Sequence, residues 1–202
     1  MRYLLLATQP TRHHYIAAVL GTSQQSVSNS ARSLGPLVEQ TAQGLVAADK
    51  SALLAHWVSV YPGPGGQPFG WYSVETPREQ ASKALELAQL LGDNALLSGD
   101  MAADHLAPWK TPTHSIVYTH SPVGLSEDGF VPAPVDQATL VTCTPMDPTV
   151  WKLAALMNDS GAESLSLADP ALIYWDTRNG TDPDSQEAAD QIARLLLSHR
   201  DE

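Results

Sequence analysis

Two short helical patterns, separated by one glycine, occupy residues 15 to 35. Ile16, Ala17, Val19 and Leu20 fall on one face of a supporting helix. Gly21 stands where the chain must leave that helix, a position that often needs the positive φ glycine tolerates. Thr22 or Ser23 caps the next helix. In that second helix Val27, Ala31 and Leu34 lie at i, i+4 and i+7 and form a single apolar stripe. Its other face carries Gln24, Gln25, Ser28, Asn29 and Arg32, with no Glu and no Lys. Short polar side chains let a helix lie close in a DNA major groove. There Gln and Asn pair with adenine edges, and Arg pairs with guanine or phosphate.

Residues 35 to 57 continue the pattern. After Gly35-Pro36, the segments Leu37 to Thr41 and Leu45 to Ala48 flank Ala42-Gln43-Gly44, as in a β-hairpin with glycine at its tight turn. Asp49 or Ser51 then caps a further helix containing Leu53, Leu54 and Trp57. Supporting helix, glycine turn, polar helix and hairpin occur in the order of a winged helix-turn-helix. The residues expected to meet duplex DNA are Arg12, Thr22, Ser23, Gln24, Gln25, Ser28, Asn29, Arg32 and the hairpin-tip Gln43.

Charge divides along the same line. The chain of 202 residues carries a formal net charge of -11. Residues 1 to 50 hold Arg2, Arg12, Arg32 and Lys50 against only Glu39 and Asp49. The remaining residues hold seven of the 11 basic side chains and 20 of the 22 acidic ones. An acidic body bearing a DNA-reading head has this asymmetry.

The helix-breaking stretch Tyr61 to Pro68 reads as a joint between a head at 1–60 and a second domain at 69–202. In the second domain Thr76-Pro77-Arg78-Glu79 is a capping box opening a helix that Gly92 closes. A second helix, capped by Ser98, ends at Pro108. Strands are expected at Ser115–Tyr118, Thr139–Cys143 and Leu172–Trp175, and a last amphipathic helix at Asp184–Ser198. The fold class is therefore α+β: an N-terminal winged helix-turn-helix followed by a mixed α/β domain.

Chemistry-bearing patterns are sparse. None of the seven histidines has the two-ligand helical spacing of a zinc enzyme. Ser98-Gly99-Asp100 lacks the downstream carboxylate pair of a nucleotidyltransferase and the elbow of a serine hydrolase, and helix capping accounts for both side chains. No glycine-rich phosphate loop occurs. Trp109, Trp151 and Trp175 are expected as core or domain-surface anchors. No catalytic residue, metal or cofactor is expected. Cys143 is the lone cysteine, and no apolar run reaches the ~20 residues that span a bilayer, so a cytoplasmic protein with no membrane association is expected.

Together, the head and the segment Leu97-Ser98-Gly99-Asp100-Met101-Ala102-Ala103 through Pro108 resemble the AbiEi-type antitoxins of type IV toxin-antitoxin systems. Thr144-Pro145-Met146-Asp147-Pro148 and Ile173-Tyr174-Trp175-Asp176, with Glu187-Ala188-Ala189 beyond, extend the resemblance over nearly the whole chain. It implies a transcriptional autorepressor acting on its own operator, with a second domain that opposes a nucleotidyltransferase-like toxin. The family's second domain is expected to show basic surface, whereas this one is acidic. A stand-alone ligand-sensing regulator and an enzyme with an accessory helix-turn-helix are the alternative readings. The oligomeric state is not legible.

Overall fold

The computed structural model describes residues 1–157, 165–180 and 182–198. The described residues form two compact units: 1–62 together with 193–198, and those between 63 and 192.

The first unit opens with helix α1 (Arg2–Leu6), whose Tyr3, Leu4 and Leu5 are buried. It packs against helix α4 (Lys50–Val60) and strand β2 (Leu45–Ala47). Helix α2 (His13–Leu20) ends at Gly21, which adopts the left-handed conformation at φ 60°, ψ 40° and returns its N–H to the carbonyls of Ala17 and Ala18. Helix α3 (Gln24–Leu34) starts at Ser23, whose hydroxyl accepts from the Ser26 N–H at 3.0 Å. Its inward face buries Val27 and leaves Ala31 and Leu34 half-buried. Strand β1 (Val38–Gln40) pairs antiparallel with β2, Glu39 opposite Val46. Thr11 adds an outer rung, exchanging both backbone hydrogen bonds with Leu45 at 2.9 Å. Asp49 caps α4 by accepting from the Ser51 and Ala52 N–H groups.

Two of the four basic residues before residue 51 are not at the surface. Arg2 and Lys50 are each 6% exposed. The Arg2 guanidinium donates to the Tyr61 hydroxyl at 3.0 Å and lies over its ring, and Tyr61 in turn stacks on Trp57.

The second unit is built on a five-stranded sheet in the order β4-β5-β7-β3-β6. Its strands are β3 (Pro68–Tyr72), β4 (Leu96–Ser98), β5 (Ser115–Tyr118), β6 (Val131–Ala133) and β7 (Leu140–Cys143). Only β5 and β7 run parallel; the other neighbours are antiparallel. Beyond β4 the chain at Ser166–Ala168 forms a parallel bridge to Leu97, and Pro132 sits in the opposite edge strand. Helix α5 (Pro77–Leu90) has the full capping box, Thr76 and Glu79 each bonding the other's backbone N–H. It packs on β4, β5 and β7, while helix α6 (Gly99–Leu106) packs on helix α8 (Pro170–Arg178). Helices α7 (Thr149–Met157) and α9 (Ser185–Ser198) complete the described α-helices. The overall class is α+β.

One local expectation is corrected. The expected strand Leu172–Trp175 lies within α8, where Asp169 caps by accepting from the Leu172 N–H and Pro170 occupies the first turn. The expected joint is fastened to the second unit from Gly63 on. The Pro64 carbonyl accepts from the N–H groups of Met146 and Asp147 at 2.9 Å, and Gly63 lies against the Trp175 ring, where a Cβ would be only 2.7 Å from the indole.

Candidate functional site

The outer face of α3 is the first candidate. Gln24, Gln25, Asn29 and Arg32 are exposed, and Ser28 is half-buried. Three of them are linked along the helix. The Asn29 side-chain oxygen accepts from Gln25 Nε2 at 2.9 Å and from Arg32 Nη1 at 3.1 Å. These bonds follow the i, i+4 and i, i+3 spacings that bring side chains together on a helix surface. No acidic side chain occurs on α3, so nothing on that helix neutralises the Arg32 guanidinium.

The other expected residues are distributed around this face. Thr22 and Ser23 are exposed at the start of α3, but the Ser23 hydroxyl is engaged as the cap. Arg12 and Gln43 are exposed and flank a tight crossing. There Gly44, at φ 146°, approaches so closely that a Cβ would fall 2.3–2.7 Å from the Thr11 carbonyl and the Arg12 nitrogen. The structure thus joins Gln25, Asn29 and Arg32 directly and brings Arg12 beside the hairpin turn that carries Gln43.

The second unit holds a polar cluster that local sequence patterns do not reveal. Ser98 ends β4, and its hydroxyl is no helix cap: it donates to Asp176 on α8 at 2.5 Å. The Tyr118 hydroxyl on β5 donates to the same carboxylate at 2.9 Å. Asp176 is buried. Burial, with the nearby Asp169 charge adding, pushes its carboxyl up to about 7, against the pull of the Ser98 and Tyr118 hydrogen bonds.

Asp100 behaves oppositely. Its side chain is fully enclosed, and one oxygen meets Lys110 Nζ at 2.9 Å, His114 Nδ1 at 3.1 Å and the Thr113 hydroxyl at 3.0 Å. Burial alone would raise this carboxyl, but the hydrogen bonds and charges of His114 and Lys110 outweigh it and hold it well below the usual carboxylate range. Lys110 also reaches Asp182 at 3.2 Å. The helix-capping role expected for Asp100 is therefore replaced by a buried ion cluster joining α6, the segment before β5 and the approach to α9.

No family model, curated protein or solved structure matches this chain.

Other expected sites resolve into structure. His120 stacks on Trp151 with ring centroids 3.6 Å apart and shares Asp93 with the Ser121 N–H. Trp109, expected as an anchor, is 53% exposed beside an open groove. Burial raises the Cys143 thiol, and the Asp176 charge raises it further, which disfavours the reactive thiolate. Among the described residues no three His, Cys, Asp or Glu side chains are grouped to hold a metal ion, and no helix is long and apolar enough to cross a membrane.

Proposed function

We propose that residues 1–62 form a winged helix-turn-helix that reads duplex DNA, and that the protein is a transcriptional repressor. One observation carries the reading: an acid-free helix face on which Gln25, Asn29 and Arg32 are held side by side. Such a face offers an amide and a guanidinium to base edges at groove depth. Helix α2 and its Gly21 turn support it, and the hairpin at Gly44 supplies the wing beside Arg12. In this reading Gln24 and Ser28 add contacts along the groove, Thr22 and Ser23 meet the backbone at the helix start, and Gln43 meets it from the wing.

The resemblance to AbiEi-type antitoxins extends the proposal to autorepression and to a nucleotidyltransferase-like toxin as partner of the acidic unit. Both oxygens of Asp176 are engaged by Ser98 and Tyr118, and reading the acidic unit as a recognition domain rests on the resemblance.

The test is selection from random duplex DNA with the full chain, followed by binding titrations on the selected site. Arg32→Ala and Asn29→Ala should each weaken the selected site by about 1–3 kcal/mol without altering thermal stability. Failure to enrich any sequence at low salt would sink the reading.

A further inference from the structure

Behind the DNA-facing helix lies a cavity of about 120 Å³. Leu4, Ile16, Leu20, Val27, Ala31 and Leu45 form most of its wall, and Thr22, Ser26 and Ser30 also border it. The vacancy has a residue-level cause. Ala31 follows Val27 by one turn on the inward face of α3, and its methyl group stops short of the volume that a leucine would fill. Ala31 and Leu34 consequently stay half-buried although they face the interior.

We infer that this cavity is a binding site for a small, uncharged, single-ring hydrocarbon or a compound of similar apolar character. Size and polarity select that class. An apolar cavity of about 150 Å³ lined by Leu, Ile and Phe stays dry and takes up benzene. Water needs two to four polar partners, and the aliphatic inner wall here supplies none; the hydroxyls of Thr22, Ser26 and Ser30 stand only at the exposed mouth. A charged or strongly polar molecule would lose its hydration without replacement bonds.

The site has a consequence that rests on the DNA reading proposed above. Val27, Ala31 and Leu34 form one wall of the cavity, and the same helix carries Gln25, Asn29 and Arg32 on its opposite face. An occupant that presses on the inner wall changes how the outer face is presented. DNA and ligand are then linked, each altering the other's affinity by the same factor.

Toluene is the probe, with glycerol as a polar control. In methyl-labelled full-length protein, toluene should cause saturable shifts at Ile16, Val27 and Leu45, and glycerol should cause none. Ala31→Leu, which fills the space from α3, should abolish the shifts, as should Leu20→Phe, which fills it from α2. Absence of saturable shifts in the parent protein, or equal shifts in a folded filled variant, overturns the site. Saturating toluene should change the DNA dissociation constant at least about fivefold in the parent protein and leave Ala31→Leu unaffected. Toluene binding with an unchanged DNA dissociation constant overturns the coupling. A protein that binds no DNA overturns the reading of α3, while the methyl titration still decides the cavity.

Discussion

Asp176 and Asp100 lie in one unit, yet they respond to pH with opposite sign. Asp176 has its folded value raised from 3.8 to about 7. Its folded form therefore holds a proton that the unfolded chain releases. Its contribution is fully present below about 3.8 and is lost as pH rises toward 7. Asp176→Asn keeps an uncharged acceptor for Ser98 and Tyr118 and removes the titration. Relative to the parent, the variant should gain about 2–3 kcal/mol between pH 5 and pH 8, read from denaturant midpoints. A difference that does not change with pH would show that Asp176 is ionised in both states. Asp100 is lowered, so its contribution is present above the ordinary carboxylate range and disappears in acid. Asp100→Ala leaves Lys110, which is 10% exposed, with Asp182 as its remaining carboxylate and removes the acceptor of His114 and Thr113, and should cost roughly 1–3 kcal/mol. The double variant Asp100→Leu with Lys110→Met should recover much of that loss, since no charge is left buried without its partner.

Among the elements, the hairpin depends on Gly44. Its φ of 146° and the 2.3 Å approach to Thr11 leave no room for a side chain. Gly44→Val should break the Thr11–Leu45 rung, lower the melting temperature and weaken the proposed DNA binding, whereas Arg12→Ala should weaken that binding alone. Equal melting temperatures for Gly44→Val and the parent would refute the closeness of that crossing. The head's elements are legible in sequence because each signal is local: Gly21 at a left-handed turn, Ser23 and Asp49 at caps, glycine in the hairpin. The same holds for Thr76 and Glu79 at the start of α5. Helix α8 misleads because Ile173, Tyr174 and Trp175 have strand-forming side chains, although Asp169-Pro170 carries the capping signal of a helix. The Ser98–Tyr118–Asp176 cluster is illegible for a different reason. Its members lie 58 and 78 residues apart, and no local periodicity encodes such a meeting. Of the proposed DNA face, the residue types can be read in sequence; the bonds that converge on Asn29 cannot.

Across the whole molecule, the burial of Arg2 and Lys50 limits how strongly salt can act on the proposed DNA binding. Of the four basic residues before residue 51, Arg12 and Arg32 remain at the surface. Neutralising about two phosphates per copy gives a slope of log affinity against log salt near -2, rather than near -4 for all four. Titrations between 50 and 200 mM salt, on the order of the range where such slopes are read, distinguish the two. The sheet of the second unit carries another consequence at this scale. One rim is occupied by Ser166–Ala168, and the other strand contains Pro132, which has no N–H to offer. Among the described residues, neither border of this sheet presents a continuous row of donors and acceptors on which a second chain could template itself. Backbone-ladder growth from this sheet is therefore disfavoured without a single charge on β6.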